Sequence, residues 1–231
     1  MLTGAGVSAD SGVATFRGAG GLWEGHRIED VATPEAWQRD PRLVWRFYQL
    51  RRAHLATVEP NAAHRALARL ERELAARGHD FLLVTQNVDD LHDRAGSAPI
   101  HMHGELLKLR CERCGGAIED RDRLDPERFL PCGGCGFERL RPDIVWFGEV
   151  PYRMDEIFDA LARCTRFLAI GTSGVVYPAA GFLAQARARG AETLVNGLEE
   201  PENLHPRDRF VRGRAADVVP ALVDEILGAA G

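Results

Sequence analysis

The sequence predicts an α/β protein: a doubly wound parallel sheet covered by helices on both faces, with a smaller lobe inserted. Two observations predict the sheet and a third predicts the lobe. Short apolar runs at Phe81–Thr85, Phe167–Ile170 and Thr193–Asn196 alternate with stretches of helical spacing, the pattern of parallel strands joined by crossover helices. Each run stops at polar or turn-forming residues, as buried strands do. Between Leu109 and Arg139 the chain is poor in apolar residues and carries Cys111-x2-Cys114-x17-Cys132-x2-Cys135. Such a segment could hardly fold without a metal.

In chain order, Met1-Leu2-Thr3 reads as the tail of a strand, and Gly4-Ala5-Gly6-Val7-Ser8-Ala9 as its turn into a helix. The apolar residues that a full strand needs upstream are missing, so either the sequence is clipped there, the favoured expectation, or the central strand is unusually short. Ser11 to Gly25 is glycine-rich, with Thr15-Phe16-Arg17 in it, and reads as a long functional loop. The spacing of Trp37, Val44, Trp45, Phe47, Tyr48 and Leu55 predicts a helix from Pro34 to about Val58. Pro60-Asn61 opens another through Leu67, Leu70 and Leu74, stopped by Gly78. After the cysteines a strand is expected over Ile144–Phe147, ending at Gly148. Helices are expected over Met154–Arg163, over Ala179–Arg189 before Gly190, and over Asp217–Leu227 with Pro220 in its first turn.

At 231 residues, with 45% hydrophobic and 27% charged residues, the chain has an ordinary globular composition and needs no disulfides to stay folded. A net charge of −5 argues against a general nucleic-acid binder, and no apolar run approaches the ~20 residues of a membrane span. No secretory leader opens the chain, so the cysteines are expected to be reduced and the protein cytoplasmic. Lys108, the only lysine, reads as a composition bias.

Gly4-x-Gly6-x-x-Ala9 fits the relaxed dinucleotide fingerprint, in which glycines let backbone N–H groups approach a pyrophosphate. The glycine-rich loop that follows replaces the acidic ribose ligand of a dehydrogenase, which disfavours hydride transfer. The two Cys-x-x-Cys knuckles predict a tetrahedral zinc with four thiolates and no open position, hence a structural ion. The alternative is that this ribbon is itself the function, as a binding module; the acidic Glu112, Glu119, Asp120 and Asp122 weaken a nucleic-acid version of it. Cys164 reads as core. His26, His54, His64, His79, His92 and His205 read as surface or helix-packing residues. His101 and His103 share a face if the chain is extended, and Gly104 would let a ligand approach, so His103 is a candidate base. Gln86-Asn87-Val88-Asp89, Gly171-Thr172-Ser173 and Asn196 follow predicted strands, where ligands of open α/β sheets bind.

Gly4-Ala5-Gly6-Val7-Ser8, Phe16-Arg17, Gln86-Asn87-Val88-Asp89, His103-Gly104, the four cysteines, Phe147-Gly148-Glu149 and Gly171-Thr172-Ser173 occur in this order. Over essentially its whole length the chain resembles the sirtuins, NAD-dependent protein-lysine deacylases. The resemblance implies a Rossmann-like NAD-binding domain over residues 1–28, 60–108 and 140–231. It implies a small lobe made of a helical module (29–59) and a zinc ribbon (109–139), with NAD and the acylated lysine of a protein or peptide meeting between them. Gly4, Ala5, Gly6 and Ser8 would hold the pyrophosphate, with Phe16 and Arg17 on the cofactor loop. Gln86 would touch the nicotinamide ribose, and Asn87, Val88 and Asp89 would order the nicotinamide pocket, Asn87 and Asp89 as catalytic residues. Gly171, Thr172, Ser173, Asn196, Gly197, Leu198 and Ala215 would surround the adenosine half. Val145, Trp146, Phe147 and Gly148 would offer a strand edge to the substrate peptide. His103 would be the general base, giving free lysine, nicotinamide and 2′-O-acyl-ADP-ribose; no nucleic acid or membrane is implied.

Thr15 departs from the aspartate common in the family and resembles the branch that removes acidic acyl groups. That branch also carries Tyr-x-x-Arg, here Tyr48-Gln49-Leu50-Arg51, and a small residue at Ala32 that widens its channel. Residues three apart share a helix face, so a phenol and a guanidinium would point together and grip a carboxylate. The resemblance thus implies succinyl, malonyl or glutaryl removal with weak deacetylation. Taken without it, Tyr48 and Arg51 read as a solvated helix face, as Arg52 does. A plain deacetylase or an ADP-ribosyltransferase on the same scaffold remains the alternative.

Overall fold

The computed structural model describes residues 1–15 and 25–229. β1 (Leu2–Thr3) is followed by two short 3-10 turns, Ala5–Val7 and Ala9–Ser11, where a helix was expected. Gly12, at φ 93°, ends the second turn in the left-handed region that glycine adopts without penalty. α1 (Ile28–Val31), α2 (Pro34–Arg39) and α3 (Pro41–Leu55) form the helical module. The single helix expected from Pro34 is therefore cut in two. Asp40 leaves helical geometry ahead of Pro41, and its carboxylate accepts the Leu43 N–H at 3.0 Å as the cap of α3.

α4 (Ala62–Ala76) starts where predicted, with Asn61 Oδ1 accepting the Ala63 N–H at 2.9 Å. β2 (Val84–Thr85), α5 (Leu91–Arg94) and β3 (Ile100–His101) follow. Next come β4 (Gly104–Arg110), β5 (Ala117–Glu119), β6 (Arg141–Ile144), α6 (Met154–Arg163), β7 (Arg166–Ile170), α7 (Phe182–Ala188), β8 (Glu192–Gly197), β9 (Arg209–Arg212) and α8 (Ala215–Ala229).

The main sheet has the order β3-β2-β1-β7-β8-β9 and is parallel throughout. Along β7, Phe167 and Ala169 pack among Ile157, Leu161 and Phe182 of α6 and α7. Leu168 and Ile170 pack among Leu67, Leu70, Val219 and Leu222 of α4 and α8. Alternate residues therefore serve two cores, which is why the strand is apolar without interruption. The strand order reverses between β1 and β7, and a crevice opens beyond their carboxyl ends.

A second, antiparallel sheet, β5-β4-β6, belongs to the small lobe. Its core joins Trp37, Trp45 and Tyr48 of the helical module to Leu106, Leu109, Ile144 and Trp146. The lobe thus takes in β4 and β6, residues that the expected boundaries at 108 and 140 assigned in part to the main domain. The strand expected over Ile144–Phe147 instead ends at Ile144.

Candidate active site and zinc centre

A cleft of about 630 Å³ runs between the carboxyl edge of the main sheet and the small lobe. Gly4, Ala5, Gly6, Ser8, Gln86 to Asp89, His103, Gly171 to Ser173, Gly197 and Leu198 line it from the sheet side. Ala32, Tyr48, Arg51 and Val145 to Gly148 line it from the other. Two expected residues do not reach its lining. Asn196 is buried, its amide donating to Val211 O (3.0 Å) and Gly213 O (3.1 Å), and Ala215 is buried at the start of α8. Phe16 and Arg17 lie outside the described residues, whereas Thr15 lines the cleft.

The glycines at the switch point also let two backbone turns pack closely. Gly4 N–H donates to Ile170 O (3.0 Å) and Gly6 N–H to Gly171 O (2.8 Å), so both donors are engaged by the turn after β7. A Cβ on Gly6 would stand 2.7 Å from Gly171 Cα, and one on Gly171, which sits at φ 63°, would stand 2.5 Å from Val7 N. The turns after β1 and β7 interlock backbone to backbone, and only glycine permits that approach. Half-buried Ala5 is left on the cleft surface.

Behind this turn lies a buried polar network. Ser8 Oγ donates to Asp89 Oδ2 (3.1 Å) and accepts from Asn87 Nδ2 (3.0 Å). His64 Nε2 is 3.3 Å from the same oxygen, and its Nδ1 accepts the Asn61 N–H at 3.3 Å. Because Nδ1 accepts, the proton sits on Nε2 and His64 donates to Ser8. Burial drives His64 down to about 4 and keeps it neutral; burial also pushes the Asp89 carboxyl up, against hydrogen bonds from Leu91 N–H and Ser8. His92 continues the cluster, 3.0 Å from Thr3 Oγ1, and burial holds it well below the ordinary histidine value.

His103 Nδ1 is 3.1 Å from Gln86 O. A carbonyl can only accept, so Nδ1 carries the proton and Nε2 presents its lone pair to the cleft. Burial lowers the His103 pKa, which keeps that lone pair available at neutral pH. Gln86 in turn donates through Nε2 to Thr172 Oγ1 (3.0 Å), tying the ends of β2 and β7 together. His101 sits two residues before His103, with Nδ1 3.3 Å from Asn87 O and Nε2 2.9 Å from Asp93 Oδ2. Burial opposes its charge, but Asp93 outweighs that and raises its pKa.

On the opposite wall Tyr48 is fully buried, and its hydroxyl accepts the Trp146 indole N–H at 3.0 Å. Burial pushes the phenol up to about 12, with Arg51 pulling the other way. Arg51 is only 7% exposed and lies over the Phe47 and Tyr48 rings, 5.5 and 6.0 Å from their centroids. A solvated helix face is thus excluded for Tyr48 and Arg51, and equally for Arg52, whose side chain is wholly buried.

The expected strand edge is altered as well. Val145 N–H donates to His103 O (2.9 Å), Phe147 N–H to Ala32 O (3.0 Å), and Trp146 N–H to Glu149 Oε2 (2.9 Å). These three donors are engaged internally, and the exposed Phe147 and Gly148 line the cleft. Glu149, which the sequence placed in a motif without a role, holds this turn. Burial opposes its charge, but Arg141, at 2.8 and 2.9 Å, holds its carboxyl below the usual range.

Cys111, Cys114, Cys132 and Cys135 bring their sulfurs within 4.8 Å of one another, with Cys111–Cys135 at 3.6 Å and Cys114–Cys132 at 3.7 Å. A tetrahedron of thiolates about 2.3 Å from zinc has edges of about 3.8 Å. A disulfide would need about 2.05 Å. The donor set fits one structural zinc.

A model of the Sir2 family matches residues 4–178. The chain belongs to the Sir2 family. This sirtuin is 52% identical over 231 residues to the NAD-dependent protein deacylase of Escherichia coli (strain K12), covering 98% of this chain and 81% of that one. It is 51% identical over 236 residues to that of Trypanosoma brucei brucei (strain 927/4 GUTat10.1), covering 100% and 95%. A Sir2 homologue solved with NAD is similar with a TM-score of 0.88 and 38% identity, over 100% of this chain and 89% of that one. Sir2Af2 bound to a myristoylated histone peptide is similar with a TM-score of 0.74 and 30% identity, over 99% and 90%. NAD is the cofactor of this sirtuin. The interlocked turns at the switch point and the cleft beyond them suit a dinucleotide.

Proposed function

We propose that this sirtuin removes acidic acyl groups, succinyl, malonyl or glutaryl, from protein lysines. NAD-dependent protein deacylation is the activity of the family to which it belongs. The finer reading is supported above all by one observation: a buried guanidinium and a buried phenol share the cleft with a neutral histidine. Arg51 and Tyr48 are one helical turn apart on α3, and Ala32 beside them keeps the wall low. A planar guanidinium can take a carboxylate bidentately through charge-assisted hydrogen bonds, and a carboxylate-tipped acyl chain would bring that group. An acetyl group brings no such charge.

When bound, NAD supplies a ribose carbon activated by its nicotinamide leaving group. His103 is the general base on this reading, taking a ribose hydroxyl proton at Nε2 while Gln86 O holds Nδ1–H. Asn87 and Asp89, fixed through Ser8 and His64, order the nicotinamide pocket. Gly4, Ala5, Gly6, Ser8, Gln86, Val88, Gly171, Thr172, Ser173, Gly197 and Leu198 contribute the remaining cofactor surface, and Phe147-Gly148 guides the peptide. The test compares succinyl-, malonyl- and acetyl-lysine peptides with NAD. Arg51→Met is expected to lower the succinyl-over-acetyl preference in kcat/KM by about 10- to 100-fold, the worth of one charged hydrogen-bonded contact. An unchanged preference refutes the carboxylate grip.

A further inference from the structure

α3 presents two stripes, not one. Tyr48 and Arg51 line the cleft, while Trp45, Gln49 and Arg52, at i, i+4 and i+7, face the zinc ribbon. Trp45 Nε1 donates to Asp125 O at 3.0 Å, and Arg46, beside this stripe, donates through Nε to Glu127 Oε1 at 2.8 Å. Arg52 donates to Gln49 Oε1 (3.0 Å), to Asp120 Oδ2 (2.8 Å) and to the Asp120 carbonyl. The Arg52 and Asp120 side chains are 0% and 4% exposed, and Asp120 also accepts from Arg123 Nε at 2.9 Å. Adjacent arginines, about 100° apart around the helix, therefore point one into the cleft and one into the ribbon.

Beside these hydrogen bonds, of which the Arg46–Glu127 pair is exposed, α3 meets the ribbon through aromatic packing: Phe129 lies against Trp45, and against Trp37 of the neighbouring helix. Such packing sets a distance but resists rotation weakly, whereas a fork that donates to both a carboxylate and a carbonyl is directional. With side chains a helix has a radius of about 5–6 Å, so a turn of about 10° moves a head group by about 1 Å. A misplacement of about 1 Å is enough to cost about 100-fold in a positioned reaction.

We infer that Arg52 and Asp120 form a positioning pair through which the zinc ribbon sets the rotation of α3, and with it the placement of Arg51 for an acidic acyl group. This rests on the carboxylate grip proposed above. It gives the ribbon a part in acyl selectivity and not in folding alone.

The experiment measures kcat and KM on succinyl- and acetyl-lysine peptides for the native enzyme, Arg51→Met, Asp120→Asn and Arg51→Met/Asp120→Asn, with zinc content and the KM for NAD as controls. Asp120→Asn keeps the size of the side chain and removes its charge. It is expected to raise the KM for the succinyl peptide about 10-fold, with zinc, the KM for NAD and acetyl turnover held within about twofold. In the Arg51→Met background it should add nothing to the loss of preference, because both changes act through one group. A native preference in Asp120→Asn, or an equal loss on both peptides, overturns the positioning role. If the native enzyme itself shows no preference for the succinyl peptide, it is the carboxylate grip that fails, and the inference falls with it. Should Asp120→Asn not fold, Arg52→Lys decides: it keeps the charge without the fork, so an intermediate preference supports the pair and the native preference overturns it.

Discussion

Across the cleft, the sheet wall is made of backbone turns and neutral buried polar groups, whereas the small-lobe wall is made of aromatic rings and charged forks. On the sheet side Gly6 and Gly171 interlock with no side chain between them, and His64, His92 and His103 are all held toward neutrality by burial. On the lobe side Arg141 lies 3.4 Å from the centroid of the Trp146 ring, Arg51 lies over Phe47 and Tyr48, and Arg52 is sealed against Asp120. Backbone turns leave little to vary, which suits an unchanging dinucleotide. Side-chain forks on a helix can be exchanged one at a time, which suits the acyl-selecting wall proposed above.

The sharpest way to separate the walls is to remove the metal. Chelation, or Cys114→Ser, is expected to release the zinc and collapse the ribbon, since structural zinc is worth on the order of 10 kcal/mol to such modules. Zinc content, near-ultraviolet dichroism of Trp37, Trp45 and Trp146, and deacylation should fall together. Far-ultraviolet dichroism from the main sheet and its helices should largely persist; its loss would mean that the two halves fold as one unit. His103→Ala is the next largest effect, a fall of about 10²- to 10⁴-fold in turnover with zinc and thermal stability retained. Turnover that survived would remove the imidazole from the reaction.

On the sheet wall, Gly6→Ala forces a methyl group against backbone that has nowhere to move, and is expected to cost about 1–3 kcal/mol and to weaken NAD binding. Denaturant melts with and without NAD check both effects. The remaining effect is a pH dependence. A buried histidine whose folded pKa lies below its unfolded value stabilises fully above about 6.5 and loses that stability as pH falls toward the folded value. For His64, moved from 6.5 to about 4, the loss between those values is about 3 kcal/mol. Stability should therefore decline on acidification from pH 6.5, and His64→Gln should flatten that slope. The acid limb of kcat/KM should likewise lie below 6.5, because burial lowers His103.

The parallel sheet was readable because β7 and β8 are apolar on both faces, a pattern that survives any register. β9 was not, since Arg209 and Arg212 give it a polar outline and its place is set by pairing with β8. β4 was hidden by the register shift between Gly104 and Leu109, which breaks the alternation of its side chains. The break before Pro41 could have been found, because an Asp-Pro step is both a cap and a stop.

For the site, the strand-end rule led to Gln86 through Asp89 and Gly171 through Ser173, and spacing led to the four cysteines. His64 had no such signal: it lies 56 residues from Ser8 and meets it only because α4 packs against the turn after β1. By itself the sequence determined the alternation of strands and helices, the zinc ligands and the Tyr48–Arg51 spacing, because each depends on a local repeat. Only the tertiary structure decided that Arg52 turns away from Arg51 into the ribbon, that Gly6 answers to Gly171, and that His103 keeps its proton on Nδ1. Those facts depend on partners distant along the chain, and no local pattern encodes them.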